Sequence, residues 1–231
     1  MQHLLLLHGA LGDRDQLVPL GDQLADEYYV HRLNFTGHGG EPLLADAWSI
    51  ASFAQDVVTY MDIYVPAGEP VHLFGYSMGG YVGMYICRHY PGRISRAITL
   101  ATKFNWDEEV ATREVRMLHA ETIRQKVPAF AEELEKRHGS HKWKDVLERT
   151  AGMLLEMGKG NPLQAADYPA ISAPCLLLLG DRDKMVSLDE TTQVYKQLPV
   201  AQLGVLPATP HALEQVDMVA LGAMIKKFIG S

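Results

Sequence analysis

Cysteine is nearly absent: Cys87 and Cys175 are the only two in 231 residues. That number excludes a disulfide framework, and a zinc site would need ligands of other kinds. Each thiol sits among apolar residues, so both read as buried and free. Long apolar runs are missing too. No wholly aliphatic stretch exceeds the four leucines at positions 4–7, against the roughly 20 residues that a bilayer-spanning helix needs. Basic excess is also lacking, since 21 Lys and Arg against 28 Asp and Glu leave a net charge of −7. Such a chain offers little to displace counterions from nucleic acid or to hold an anionic membrane, so neither is an expected partner. No Lys or Arg precedes the first apolar run, and His8-Gly9 interrupts it. A secretory signal is therefore not expected, and the expected address is cytoplasmic.

What is present is ordinary for a globular domain: 47% apolar and 21% charged residues. Short apolar runs at 3–7, 29–33, 71–74, 94–101, 175–179 and 201–206 alternate with helical patterns. Those patterns cover 16–27, 49–64, 78–89, 188–198 and 213–229. Runs without strict alternation suit strands buried on both faces, and strand-then-helix repetition predicts an α/β fold with a mostly parallel sheet. Residues 103–165 break the rhythm. Charges occupy 22 of these 63 positions, against 27 of the remaining 168. Apolar residues there recur at helical spacing, as in Val146, Met153, Leu154 and Met157, and no strand-like run occurs. The segment reads as a helical insertion between the fourth and fifth strands, since a crossover alone needs only about a dozen residues. The core is then 1–102 with 166–231.

The chemistry-bearing pattern is Gly75-Tyr76-Ser77-Met78-Gly79-Gly80, which follows an apolar run and opens a helical one. This is G-x-S-x-G in a strand, sharp turn, helix context. Glycines beside the serine let the helix pack close to the strand. The turn also sets the Met78 N–H at a helix N-terminus, where negative charge is favoured. His8-Gly9-Ala10 ends the first strand, so the Ala10 N–H is placed to be a second oxyanion donor. His8 itself reads as a packed, hydrogen-bonded side chain. Two acids, Asp181 and Asp183, follow the fifth run, and His211 follows the sixth. Serine, acid, histidine is the chain order expected when the nucleophile sits at a strand–helix elbow.

These segments, with Thr36-Gly37-His38-Gly39-Gly40, resemble the α/β-hydrolase superfamily over nearly the whole chain. The resemblance implies that Asp183, last in its Gly-x-x-Asp turn, is the triad acid and that Asp181 caps the turn. It implies that 103–165 is a cap roofing the substrate pocket. It also implies about six strands, because the N-terminal hairpin usual in the family has no counterpart before His8-Gly9. Asn34 and Thr36 stand where relatives often have Asp and Pro. A serine nucleophile argues against the haloalkane dehalogenase and epoxide hydrolase branches.

The expectation is a serine hydrolase of a small carboxylic ester or thioester. Its catalytic residues are Ser77, Asp183 and His211, with the backbone N–H groups of Ala10 and Met78 as oxyanion donors. It needs no metal or cofactor, and acts as a monomer or homodimer on a small molecule. The same site in relatives serves carbon–carbon bond hydrolases, cofactor-free lyases and perhydrolases, and proline iminopeptidases. A ligand receptor on a retired hydrolase is the rival from another class. A carboxylate-bearing substrate would need an arginine near Ser77; Arg113, Arg116 and Arg124 are available, although their spacing suits a solvated face. His138-Gly139-Ser140-His141 reads as solvated rather than as a metal pair. The glycines at 37–40 lack a phosphate-loop pattern. Met117, Met153 and Met157 either line an adaptable pocket or glue helices together, and Tyr76 and Met78 pack the core or border the pocket.

Overall fold

Six parallel strands make one sheet in the order β2-β1-β3-β4-β5-β6. They are β1 (Gln2–Leu7), β2 (Tyr28–Arg32), β3 (Val71–Tyr76), β4 (Arg96–Leu100), β5 (Cys175–Gly180) and β6 (Ala201–Leu206). The structure, a computed structural model, describes residues 1–44 and 48–230. Ser231, at the end of the expected core segment, lies outside them.

Strand geometry explains why leucine runs become central strands. Successive side chains point to opposite faces, so a strand covered on both sides wants apolar residues throughout. In β1, Leu4 and Leu6 join one cluster with α1 (Val18–Leu24) and α9 (Met218–Ile229). Leu5 and Leu7 join the other, with α2 (Ile50–Tyr64), α3 (Met78–His89) and α8 (Leu188–Gln197). All four leucines are at most 1% exposed, and burying each contributes roughly 1.5–3 kcal/mol. The edge strands have one neighbour apiece and leave Tyr29 and Val205 exposed. Cys87 and Cys175 are free and buried, as expected, and burial pushes the Cys175 thiol up to about 12.

Several boundaries shift from the sequence pattern, and two of the shifts have a clear local cause. The run at 94–101 forms a strand only over Arg96–Leu100, because Ala101 turns to φ +54°. The pattern at 213–229 splits: the Asp217 carboxylate accepts the N–H groups of Val219 and Ala220 at 3.0 Å, so α9 starts at Met218. A separate 3-10 turn, Leu213–Gln215, precedes it.

Between β4 and β5 run α4 (Glu108–Val115), α5 (Ala120–Lys126), α6 (Pro128–His138) and α7 (Trp143–Lys159), with no strand among the described residues there. The insertion is tied at both ends. Glu190 of α8 accepts the N–H groups of Phe104 and Asn105 at 2.7 Å. Tyr81 of α3 accepts the N–H of Leu163 at 2.9 Å and bonds the Asn161 side chain. Trp143, Val146 and Leu147 bury the inner face against the α2 and α3 side of the core. Among the described residues, no helix is long and apolar enough to cross a membrane.

Candidate active site

Ser77 occupies the junction of β3 and α3 with φ +50° and ψ −116°. A non-glycine residue there costs roughly 1–3 kcal/mol and persists only where its surroundings over-determine it. They do so here. The Ser77 N–H donates to the Leu100 carbonyl at 2.8 Å, and its own carbonyl accepts from Thr102 Oγ1 at 3.1 Å and Gly80 N–H at 3.0 Å. The flanking glycines are enforced by space. A Cβ on Gly75 would strike the backbone of Gly79 and Gly80, and one on Gly79 would strike the carbonyls of Leu7 and His8.

His211 lies on the loop after β6. Asp183, after β5, reaches its Nδ1 through Oδ2 at 2.8 Å. The other Asp183 oxygen accepts the N–H groups of Met185 at 2.8 Å and Val186 at 2.9 Å. Burial pushes the Asp183 carboxyl up, but the bonds from His211, Val186 and Met185 outweigh it and hold the carboxyl below its ordinary value. An ionised acceptor fixes the ring proton on Nδ1 and turns Nε2 outward as an acceptor. Asp181 takes a different role: its Oδ1 accepts the Thr209 N–H at 3.1 Å, bracing the loop that carries His211. The Tyr76 hydroxyl donates to the His211 carbonyl at 2.9 Å. Among the described residues no hydrogen bond joins Ser77 Oγ to His211. Both side chains line one cavity of about 490 Å³, as do Ala10, Met78 and Tyr76, whereas the Asp183 side chain is fully covered.

The loop after β1 is held from two sides. His8 is fully buried; its Nδ1 donates to the Gly9 carbonyl at 2.8 Å and its Nε2 accepts the Phe35 N–H at 3.3 Å. Burial lowers its pKa to about 3, which keeps the ring neutral. Leu11 sits at φ +60°. Its carbonyl accepts from Arg137 Nη1 at 2.8 Å and from His138 Nε2 at 2.9 Å, both at the end of α6. His138 Nδ1 accepts the Gly39 N–H at 3.1 Å. The insertion thus grips the 8–12 loop and the 36–40 loop through one side chain.

One expectation is corrected here, and one reading, the solvated face of the α4–α5 arginines, holds. His138 is not solvated: it is 1% exposed and fully bonded, and only His141 is open. Arg113, Arg116 and Arg124 are exposed and do not line this cavity; Arg137 does. Sequence pattern missed Arg137 and His138 because the basic end of a helix ordinarily faces water. The partner that covers them, Leu11, lies 126 residues from Arg137 and 127 from His138. Met117, Met153 and Met157 all line the cavity, among Ile50, Trp106, Phe130 and Leu154.

A profile of the hydrolases described as serine aminopeptidase, S33, matches residues 1–215. The pimeloyl-[acyl-carrier protein] methyl ester esterase of Chromobacterium violaceum is 26% identical, over 92% of this chain and 86% of its own. A thermophilic esterase from Thermogutta terrifontis superposes with TM-score 0.80 at 24% identity, covering 99% of this chain and 89% of its own. The enol-lactonase of Burkholderia xenovorans LB400 gives TM-score 0.81 at 17% identity, covering 100% and 92%. With its six-stranded parallel sheet and its serine at the β3–α3 elbow, this chain belongs to the serine aminopeptidase S33 family of α/β-hydrolases and is a hydrolase.

Proposed function

We propose that Ser77, His211 and Asp183 form a nucleophile–base–acid triad that hydrolyses a small carboxylic ester or thioester through an acyl-enzyme. The observation that carries this reading is His211, backed by the covered Asp183 carboxylate, lining the same cavity as the strained serine. Ser77 Oγ attacks the carbonyl carbon as His211 Nε2 takes its proton. The N–H groups of Ala10 and Met78 receive the tetrahedral oxyanion; removing one such donor costs about 3–4 kcal/mol in comparable sites. Collapse expels the alcohol or thiol, protonated by His211. Water, deprotonated by the same ring, then frees the acid and the serine. A direct Ser77–His211 bond is not needed beforehand, because such bonds often tighten only with substrate in place.

Several features support an ester whose acyl part is mainly, though not wholly, apolar. The cavity wall is largely methionine, leucine and aromatic rings, and its volume suits a small ligand. The Chromobacterium relative is named for methyl ester hydrolysis. The insertion acts as the cap over this pocket. This chemistry uses no metal or cofactor, and we place it in the cytoplasm in a monomer or homodimer. The test is turnover of an activated-ester panel by wild type and by Ser77→Ala. Turnover by wild type and its loss in the variant is the expected result. Tight binding of small carbonyl compounds without turnover by wild type would move the assignment to a receptor.

A further inference from the structure

The roof of the cavity carries two side-chain oxygens without a hydrogen-bond partner. Glu114 on α4 is 6% exposed, Thr150 on α7 is 1% exposed, and both line the cavity. Glu114 Oε2 and Thr150 Oγ1 are shut away from the surface without a hydrogen-bond partner. The second oxygen of Glu114 has one long contact, 3.4 Å to Arg113 Nη2. Buried oxygens of this kind are costly to leave open, and native structures rarely do so without a reason.

The other acids of the cavity wall do not share this state. Glu133 is exposed to water. Glu214 is bonded by Gln16 at 2.5 Å. Glu190, buried at the edge of an adjoining cavity that also touches Glu114, has both oxygens engaged, by two backbone N–H groups and by Lys103 Nζ at 3.7 Å. The open oxygens therefore belong to Glu114 and Thr150, on two helices packed against each other. Met117, Met153, Leu154 and Met157 line the same cavity and carry no side-chain hydrogen-bond donor.

We propose that Glu114 and Thr150 form a recognition subsite for a hydrogen-bond donor on the substrate, a hydroxyl or an ammonium group. The proposal rests on the hydrolase reading of Ser77 and adds a chemical class to it: the acyl part is not a plain alkyl chain but carries a donor that docks under α4 and α7. A carboxylate oxygen accepts from either donor. The threonine hydroxyl accepts while giving its own proton to a second oxygen or to the ligand. A site built to bond such a group rejects the analogue lacking it, since its buried oxygens are then left unpaired.

The test compares ethyl hexanoate, ethyl 6-hydroxyhexanoate and ethyl 6-aminohexanoate, with shorter and longer homologues of each. Wild type is expected to prefer a donor-bearing ester by roughly tenfold or more in kcat/KM, and the hydroxyl and amine arms separate the two donors. Glu114→Gln and Thr150→Val are expected to collapse that ratio, chiefly through KM. Thr150→Val should keep its melting temperature or raise it, because it removes an unpaired hydroxyl at constant shape. Equal kcat/KM for all three esters in wild type, as would follow if only water filled the subsite, overturns the proposal. So does a preference that survives in the double variant, or a Thr150→Val protein that melts lower. Binding of hexanamide, 6-hydroxyhexanamide and 6-aminohexanamide to Ser77→Ala protein, measured by calorimetry, reads the subsite without turnover. Equal affinities there overturn it even if Ser77 proves not to be a nucleophile.

Discussion

The floor and the roof of the cavity are built on opposite terms. On the floor, where the strands end, the polar groups that matter are saturated. Asp183 is held by one ring N–H and two backbone N–H groups, and the Leu11 carbonyl by an arginine and a histidine. On the roof, Glu114 Oε2 and Thr150 Oγ1 have no partner at all. On the proposed reading, the difference separates groups that must keep their angles before substrate arrives from groups that wait for it. Preorganisation is what stabilises a developing charge; an open valence is what selects among ligands.

Four ways of breaking the floor should rank accordingly. Ser77→Ala should remove turnover and covalent labelling by a fluorophosphonate together, and is the largest effect. Asp183→Asn should lower kcat by about 10³–10⁴-fold while leaving the fold intact, because the amide no longer fixes the proton on Nδ1; steady-state kinetics with one ester suffices. Acid should weaken the fold that carries the floor. His8 and His72 have their pKa values lowered by burial to about 3 and about 4, from 6.5. His38 and His138 are lowered by the same cause. The unfolded chain therefore binds protons near pH 6.5 that the native chain refuses until lower pH. Stability is full above that range and is lost as pH falls through it, by up to about 1.4 kcal/mol per pH unit for each such histidine. Urea midpoints at pH 7 and pH 5 check the sign; equal midpoints would contradict it. Smallest is the grip on Leu11. His138→Gln and Arg137→Met should cost roughly 10–100-fold in kcat with little change in KM, because the loop bearing the Ala10 N–H is freed. A loss carried by KM instead would make Arg137 a substrate contact and blur the line between floor and roof.

Much of the floor was legible in the sequence, for a physical reason. Ser77 and Asp183 each follow a strand buried along its whole length, His211 follows the half-buried edge strand β6, and all three strands announce themselves as apolar runs. Gly75 and Gly79 are visible because a backbone contact leaves no room for a Cβ. The roof was legible only as helices. Its charged outer face set the pattern, and the same charge hid the few polar residues that turn inward. Glu114 sits one residue from the exposed Arg113, and nothing local marks which of them is buried. His138 looked like a helix end in water because the loop that covers it comes from the far end of the chain. Asp217 broke a pattern that apolar spacing alone carried from 213 to 229, since a cap acts through two hydrogen bonds that periodicity does not see.

The central claim is that the elbow hydroxyl is the attacking group. Mass spectrometry of peptides from protein treated with a fluorophosphonate tests it most directly. The account predicts one adduct, on the peptide containing Ser77, that is lost in His211→Ala protein. An unmodified Ser77 peptide, or an adduct on another serine at equal yield, would contradict it.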